Sequence, residues 1–311
     1  VIGIDIGGAN VKVVTREGVD TIYCPLWEGA PLGEILSRYH IGDDDDTAVV
    51  MSGELADCFR TKMEGVAWIV KTVQKVFPKA LFYGTDGQFH DSPVPSLAAA
   101  NWLASAAYLR TRYPDGLLVD MGSTTTDIIP LHSPASLHGL TDLQRLQKGY
   151  LLYTGLLRTT IPAIIRSVTL GGSVTPVSAE YFAASADVHL VLGHISEADY
   201  ICDTPDRKGK DRISCLRRLA RVVCADLEEI GEEGAVQIAA AFWDEQRGMI
   251  QKAVSRAGDM PGADHILTAG IGSGLLSTTL GGRDLSTDLG PAADALPAHA
   301  VREVLRRSRG L

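Results

Sequence analysis

LLVDMGSTTTDIIPL, residues 117–131, runs from an apolar strand into a cluster of Gly, Ser and Thr and back into an apolar strand, with Asp120 before the cluster and Asp127 after it. Near the amino end, DIGGANVK (5–12) can be laid over DMGSTTTD (120–127) without a gap: Asp5 on Asp120, Gly7 on Gly122, Gly8 on Ser123 and Lys12 on Asp127. Each segment is preceded by an apolar strand and followed by another, so each half of the chain opens with a strand-turn-strand unit of one design. Two such units predict an α/β protein of two related domains that face each other across a ligand cleft.

The rest of the chain is compatible with that plan. At 311 residues, 45% hydrophobic and 22% charged, it can bury a substantial core. A formal net charge of -9 excludes a protein whose whole surface binds nucleic acid, which needs a positive field. Any anionic ligand must therefore be held locally. The five cysteines (Cys24, Cys58, Cys202, Cys215, Cys224) contain no CxxC pair and point to a reducing, cytoplasmic setting rather than a disulfide framework. No apolar run is long enough to span a bilayer, and the first residues lack a signal-peptide layout, so no membrane partner is expected. Whether the chain forms a homo-oligomer stays open.

Along the chain, the opening segments VIGIDIG, VKVVTRE and VDTIYC read as a β-meander, TAVVMS (47–52) as a buried strand, 61–77 as a helix and KALFYG as a strand. Residues 96–113 read as a helix ended by YPDG. The second half carries helical patterns at about 149–167, 178–186, 213–231 and 235–257, a strand HILTAG (265–270) and a closing basic helix. We place one domain at 1–113, joined by the closing helix 297–311, and the other at 114–296. The DDDD run (43–46) reads as a solvated turn and DRKGKDR (206–212) as an exposed charged loop, with closure over a diphosphate as its alternative.

Tight turns containing Gly let backbone N–H groups converge on phosphate oxygens, and hydroxyls extend the cradle. Gly7, Gly8, Ala9 and Asn10 would form one cradle, and Gly122, Ser123, Thr124, Thr125 and Thr126 the other. Asp5 and Asp120 are candidate Mg²⁺ ligands, because this ion is held by one or two carboxylates together with substrate phosphates. Lys12 would add a point charge. A third Gly-rich turn, AGIGSG with Gly270 and Gly272, is explained equally well by close strand-helix packing. His90 and His194 are expected to be structural, and Trp68, Trp102 and Trp243 to be core residues. Asn101 is the exception marked for the cleft.

The two turns together with ILTAGIGSGLL resemble the phosphate-1, phosphate-2 and adenosine motifs of the acetate-kinase, sugar-kinase and actin superfamily, which implies a two-lobed actin-like (ribonuclease H-like) pair of duplicated α/β domains. GIDIGGANVK, MSGELADCF, ANWLASA, DMGSTTTDIIP, TDLQRLQKGYLLYTGLLRT and DTPDRKGKDRISCLRRLAR resemble its hydantoinase/oxoprolinase-like branch, and within that the methanofuran-biosynthesis synthases of tetrahydromethanopterin-linked C1 metabolism. The resemblance implies a transferase that joins an (aminomethyl)furanylmethyl diphosphate to the phenol oxygen of a γ-glutamyltyramine-type acceptor, with release of pyrophosphate and without ATP. The cradles would then grip the leaving diphosphate, with Mg²⁺ offsetting its charge. A phenol with pKa near 10 calls for a base. Glu54 is one candidate, with helix capping as its alternative role; Asp127 is the other, unless it positions Lys12 or a metal-bound water. An ATP-dependent small-molecule kinase or oxoprolinase-like hydrolase would use the same cleft, and a non-enzymatic phosphate sensor would keep only the binding.

Overall fold

A computed structural model describes residues 1–40, 42, 46–132, 136–257 and 266–311. In chain order the elements are β1 (Ile2–Ile6), β2 (Asn10–Val14), β3 (Val19–Tyr23), α1 (Leu32–Ser37), β4 (Thr47–Met51), α2 (Lys62–Val76), β5 (Leu81–Tyr83), β6 (Phe89–His90) and α3 (Asn101–Leu109). They continue with β7 (Leu117–Met121), β8 (Thr126–Pro130), α4 (Asp142–Lys148), β9 (Leu151–Leu152), α5 (Ile161–Ile164), β10 (Ser167–Leu170), β11 (Ser173–Pro176), α6 (Ser185–Val191), α7 (Arg212–Arg221) and α8 (Leu227–Ala257). Last come β12 (Ile266–Ala269), α9 (Ser273–Leu280), β13 (Arg283–Asp284), α10 (Ser286–Leu289) and α11 (Leu296–Ser308).

One sheet runs β3-β2-β1-β4-β5-β6 and another β13-β12-β7-β8-β9. In each, an antiparallel meander (β1-β2-β3, β7-β8-β9) is extended by parallel strands (β4 and β5, β12 and β13). The second sheet therefore repeats the first strand for strand, and among the described residues only β6 lacks a counterpart. This is the two-lobed actin-like α/β arrangement.

Strand periodicity fixes where the acids point. Ile2, Ile4 and Ile6 of β1 pack with α1 and α2 on one face of the first sheet, and Leu117, Val119 and Met121 of β7 pack with α6, α7 and α8 on one face of the second. The alternate residues look the other way: Leu118 and Ile129 join Ala48, Val50, Leu267 and the helices α3 and α11 in a shared core. Asp5 alternates with Ile4 and Ile6, and Asp120 shares its strand face with Leu118, so both acids stand on inner faces. The same holds for Lys12 and Asp127, their cross-strand partners.

Helix α2 forms as expected: Thr61 caps it by accepting from Glu64 N–H (3.1 Å), and Val66, Ile69, Val70 and Val73 line its buried face. Several other expectations are corrected. The 149–167 segment is mainly not helical, because Gly149 (φ 74°) ends α4 and the chain then runs as β9, a loop and the four-residue α5. The 213–231 pattern is interrupted between Arg221 and Leu227, where Cys224 (φ 58°) is left-handed, and Gly231 (φ 68°) breaks the helical backbone within α8. Helix α6 starts at Ser185, after most of the expected span, and α3 starts at Asn101 because Ala99 is left-handed (φ 50°). Trp68 is 39% exposed, resting against Phe59, and is not a core residue. Asp43, Asp44 and Asp45 lie outside the described residues; Asp46 pairs with Arg309. No helix among the described residues is long and apolar enough to cross a membrane.

A Cβ at Gly3 would come within 2.1 Å of the Ala298 carbonyl oxygen and 2.7 Å of Arg302 Cβ, so this glycine sets how closely α11 lies on β1. Gly3→Ala is expected to cost about 1–3 kcal/mol by overpacking, measured by urea unfolding. Gly18→Ala, where nothing lies within 4 Å, serves as the control.

Candidate functional site

The two turns have one geometry. Gly7 N–H donates to Asn10 O (2.9 Å) and Gly122 N–H to Thr125 O (2.9 Å), closing each turn at the overlaid positions. Their carbonyls are held from outside. Leu26 N–H donates to Gly8 O (3.0 Å) and Cys24 N–H to Ala9 O (2.8 Å), while Leu156 N–H donates to Gly122 O (3.0 Å) and Leu157 and Arg158 N–H to Ser123 O (3.0 and 2.9 Å). With the carbonyls tied back, the peptide planes are fixed. Two glycines permit that approach: a Cβ at Gly53 would lie 2.8 Å from Gly7 O, and one at Gly155 2.6 Å from Thr124 N. Gly155 is itself held by the buried Gln246, whose amide donates to Gly155 O (3.0 Å) and Thr154 Oγ1 (2.8 Å) and accepts from His189 Nε2 (3.1 Å).

Ser123, Thr124 and Thr125 are partly exposed at the second turn, with Ser123 and Thr124 hydroxyls 3.4 Å apart. Thr126 does not join them. It alternates to the opposite strand face from Asp127, is fully buried, and its hydroxyl donates to Thr154 O (2.7 Å). In the first turn Gly8 is open, and Asn10 Oδ1 is buried with no hydrogen-bond partner among the described residues.

Between the turns lies a network of charges. Asp5 pairs in register with Lys12 and Asp120 with Asp127. Asp5 is buried, and burial pushes its carboxyl up to about 6, opposed by Lys12 and reinforced by Asp127 of the other sheet. Asp120 is pushed up to about 7 by burial; Lys12 opposes the shift, and Asp127, Asp5 and Asp294 add to it. Burial also raises Asp127, against the nearby Arg145 guanidinium. Lys12 Nζ donates to Asp294 O (2.6 Å), a carbonyl just before α11.

Glu54 joins this network from the other end. It follows β4, is 1% exposed, and its Oε2 has no partner among the described residues. Burial raises its pKa and Asp142 adds to that, against its own N–H, Lys62 and the Ala99 N–H. It caps no helix, since α2 begins eight residues later under Thr61. A Cβ at Gly65 would meet Glu54 O at 2.2 Å, so α2 packs on the Glu54 backbone.

Arg145 links the two ends and escaped the sequence reading. It is 2% exposed, pairs with Asp127, donates to Asp142 Oδ1 (3.1 Å), and stacks over Trp102 with its guanidinium carbon 4.4 Å from the ring centre. Its helix, α4, is inside out: Leu143 and Leu146 are exposed while the arginine is buried, the reverse of an amphipathic pattern. The capping box Thr141/Gln144 identifies the helix but not its inward face.

Gly270 and Gly272 are placed by packing. A Cβ at Gly270 (φ 77°) would lie 2.3 Å from Asp120 Oδ1, and one at Gly272 2.7 Å from Met121 Sδ. The 206–212 loop is tied down by buried Arg218, which donates to Asp187 Oδ1 (2.7 and 2.9 Å), Asp206 Oδ1 (3.1 Å) and Gly209 O (3.0 Å). His90 bonds Asp86 (2.9 Å), and His194 bonds His189 (2.9 Å), as expected of structural histidines.

Among the described residues no group of three or more His, Cys, Asp or Glu side chains is arranged to hold a metal alone. The buried, unpartnered Asp5 Oδ1 and the neighbouring Asp120 nonetheless suit a hard cation that completes its shell with ligand oxygens.

A family profile described as Hydantoinase/oxoprolinase matches residues 45–279. A protein of Methanocaldococcus jannaschii named (4-{4-[2-(gamma-L-glutamylamino)ethyl]phenoxymethyl}furan-2-yl)methanamine synthase is 36% identical over 329 residues, covering 99% of this chain and 98% of that protein. One of the same name from Methanococcus vannielii is 39% identical over 164 residues, 53% of this chain and 74% of that protein. Among solved structures, the activator of the 2-hydroxyisocaproyl-CoA dehydratase from Clostridium difficile with bound ADPNP aligns over 100% of this chain and 97% of its own, at 11% identity and a TM-score of 0.42.

Because Asp5 titrates near 6 when folded and at its ordinary 3.8 when unfolded, its charge opposes folding above pH 6, and the opposition fades as pH falls toward 3.8. In metal-free protein, Asp5→Asn is expected to be stabilising by about 3 kcal/mol at pH 8 and only about 1 kcal/mol at pH 4.5. Denaturant titrations at the two pH values check that slope.

Proposed function

The chain belongs to the hydantoinase/oxoprolinase family, and from that membership we propose that it is a transferase of methanofuran biosynthesis. It joins an (aminomethyl)furanylmethyl diphosphate to the phenol oxygen of a γ-glutamyltyramine-type acceptor and releases pyrophosphate. The observation that carries the reading is 36% identity, over nearly the whole of both chains, to a synthase whose name describes a phenoxymethylfuran. That name contains the bond in question, an ether between a phenol and a furanylmethyl carbon.

The site's geometry supports the chemistry. The diphosphate lies between the two turns, where backbone N–H groups and Lys12 meet its oxygens. Mg²⁺, held by Asp5 and Asp120 together with phosphate oxygens, would offset charge on the leaving group. The phenol oxygen attacks the furanylmethyl carbon, the carbon-oxygen bond to the diphosphate breaks with its electron pair going to the diphosphate, and the phenol proton passes to Glu54. A carboxylate whose pKa burial has raised lies closer to a phenol than an exposed one, which favours that transfer. Asp127, paired with Arg145, holds the second turn's charge in place and is assigned the positioning role instead. ATP is not required, since the bond to the leaving group is already in the donor. The kinase or oxoprolinase-like alternative is not favoured.

Wild-type protein with Mg²⁺, the furanylmethyl diphosphate and the acceptor should release pyrophosphate and form the ether in equal amounts. Absence of both, or a requirement for ATP, would overturn the reading. Glu54→Gln is expected to lower kcat about 100- to 10,000-fold while leaving the KM for the diphosphate nearly unchanged, measured by pyrophosphate release.

A further inference from the structure

Trp27 and Arg158 occupy matching positions in the two halves. Leu26 N–H donates to Gly8 O and Leu157 N–H to Ser123 O, each at 3.0 Å. Gly8 and Ser123 are overlaid residues of the two turns, so the residues that follow, Trp27 and Arg158, correspond. In the folded chain they meet, with the guanidinium carbon 4.7 Å from the ring centre. The Arg158 side chain therefore starts at the rim of the second cradle and ends on a ring rooted at the rim of the first. It spans the gap between them.

Arg158 is half-buried, and among the described residues its side chain makes no ion pair and no hydrogen bond. The buried arginines Arg145 and Arg218 are instead pinned by carboxylates. A guanidinium has five N–H donors in a planar fork that matches phosphate oxygens. Here the half-buried fork rests on an indole face and is uncommitted. Asp5, Asp120 and Asp127 surround Lys12, so a diphosphate entering this cleft meets more acids than bases and gains from a further cation.

We propose that Arg158 is a diphosphate-binding residue that leaves the Trp27 ring and closes over the diphosphate held between the two turns. The inference rests on the transferase reading for the identity of the anion. A ring-face contact is weaker than a bidentate, charge-assisted pair with phosphate, so the exchange runs toward the ligand. Trp27 is then the resting place of the clamp, and its emission reports the exchange.

Calorimetry with inorganic pyrophosphate and Mg²⁺ tests it. Arg158→Met is expected to bind about 10- to 100-fold more weakly than wild type, and Arg158→Lys, which keeps the charge but loses the fork, about 5- to 10-fold more weakly. Pyrophosphate should also change wild-type tryptophan emission, and Trp27→Phe should lose that change. Unaltered affinity in both Arg158 variants, or an emission change that persists in Trp27→Phe, overturns the proposal. If Arg158→Met fails to fold, as seen by thermal unfolding, the Lys variant decides. Ether formation by wild type alongside unchanged affinity in the variants sinks the clamp and leaves the transferase reading. Weakened binding without any ether from wild type does the reverse, and wild type that binds no pyrophosphate sinks both.

Discussion

One ammonium group, Lys12 Nζ, lowers the cost of bringing carboxylates from two sheets together. Asp5 on the first sheet, Asp120 and Asp127 on the second, and Asp294 ahead of α11 all feel its charge. Desolvated carboxylates repel each other and resist ionisation, which is why burial dominates the shifts of Asp5, Asp120 and Asp127. The positive charge of Lys12 favours the ionised form of the acids that the inner faces of β1 and β7 present to one cleft. Lys12 is also anchored to the Asp294 carbonyl, so the same group ties the chain before α11 to the first sheet.

Around that centre the backbone is rigid for a reason visible in its hydrogen bonds. A cradle of N–H groups recognises an anion only if its peptide planes are fixed beforehand, because reorganisation on binding would consume the interaction energy. Here both turns are closed internally and held externally through their carbonyls. The second turn has a further support, reaching from Gly155 through Gln246 to His189. Since the Gln246 amide nitrogen donates twice, its oxygen must accept, and His189 Nε2 carries the proton. His194 Nδ1 then donates to His189 Nδ1. One tautomer satisfies the whole chain.

Much of this was legible in residue order. The gapless overlay of 5–12 on 120–127 reappears as the same strand pairing and turn closure in both sheets, and strand alternation alone puts Asp5, Lys12, Asp120 and Asp127 on inner faces. What escaped did so for identifiable reasons. Alternation would have excluded Thr126 from the cradle, but the run of four hydroxyl residues masked the point where the turn ends and β8 begins. Arg145 lies on a helix whose leucines face solvent, so apolar periodicity points to the wrong side. The loop at 153–160 follows a helix-like pattern, although Gly155 is there for close backbone approach. The meeting of Trp27 and Arg158 depends on two connections 131 positions apart whose geometry has no local signature.

The internal repeat is most informative where it breaks. Lys12 and Asp127 are equivalent by register yet opposite in charge, and the partner chosen by each differs accordingly. Lys12 reaches a backbone carbonyl and leaves its charge for the cleft, whereas Asp127 is neutralised by Arg145, which also binds Asp142, a residue whose charge is felt by Glu54. The first turn thus leaves a positive charge facing the cleft, whereas the second has its negative charge paired, in a series of contacts that runs toward Glu54, whose Oε2 has no partner among the described residues. A symmetric pair of cradles would hold a diphosphate equally from both sides and favour neither bond breaking nor proton transfer. In the proposed reaction, opposite charges at equivalent positions would give the cleft a direction, with Lys12 on the side of the leaving group and Glu54 on the side of the nucleophile.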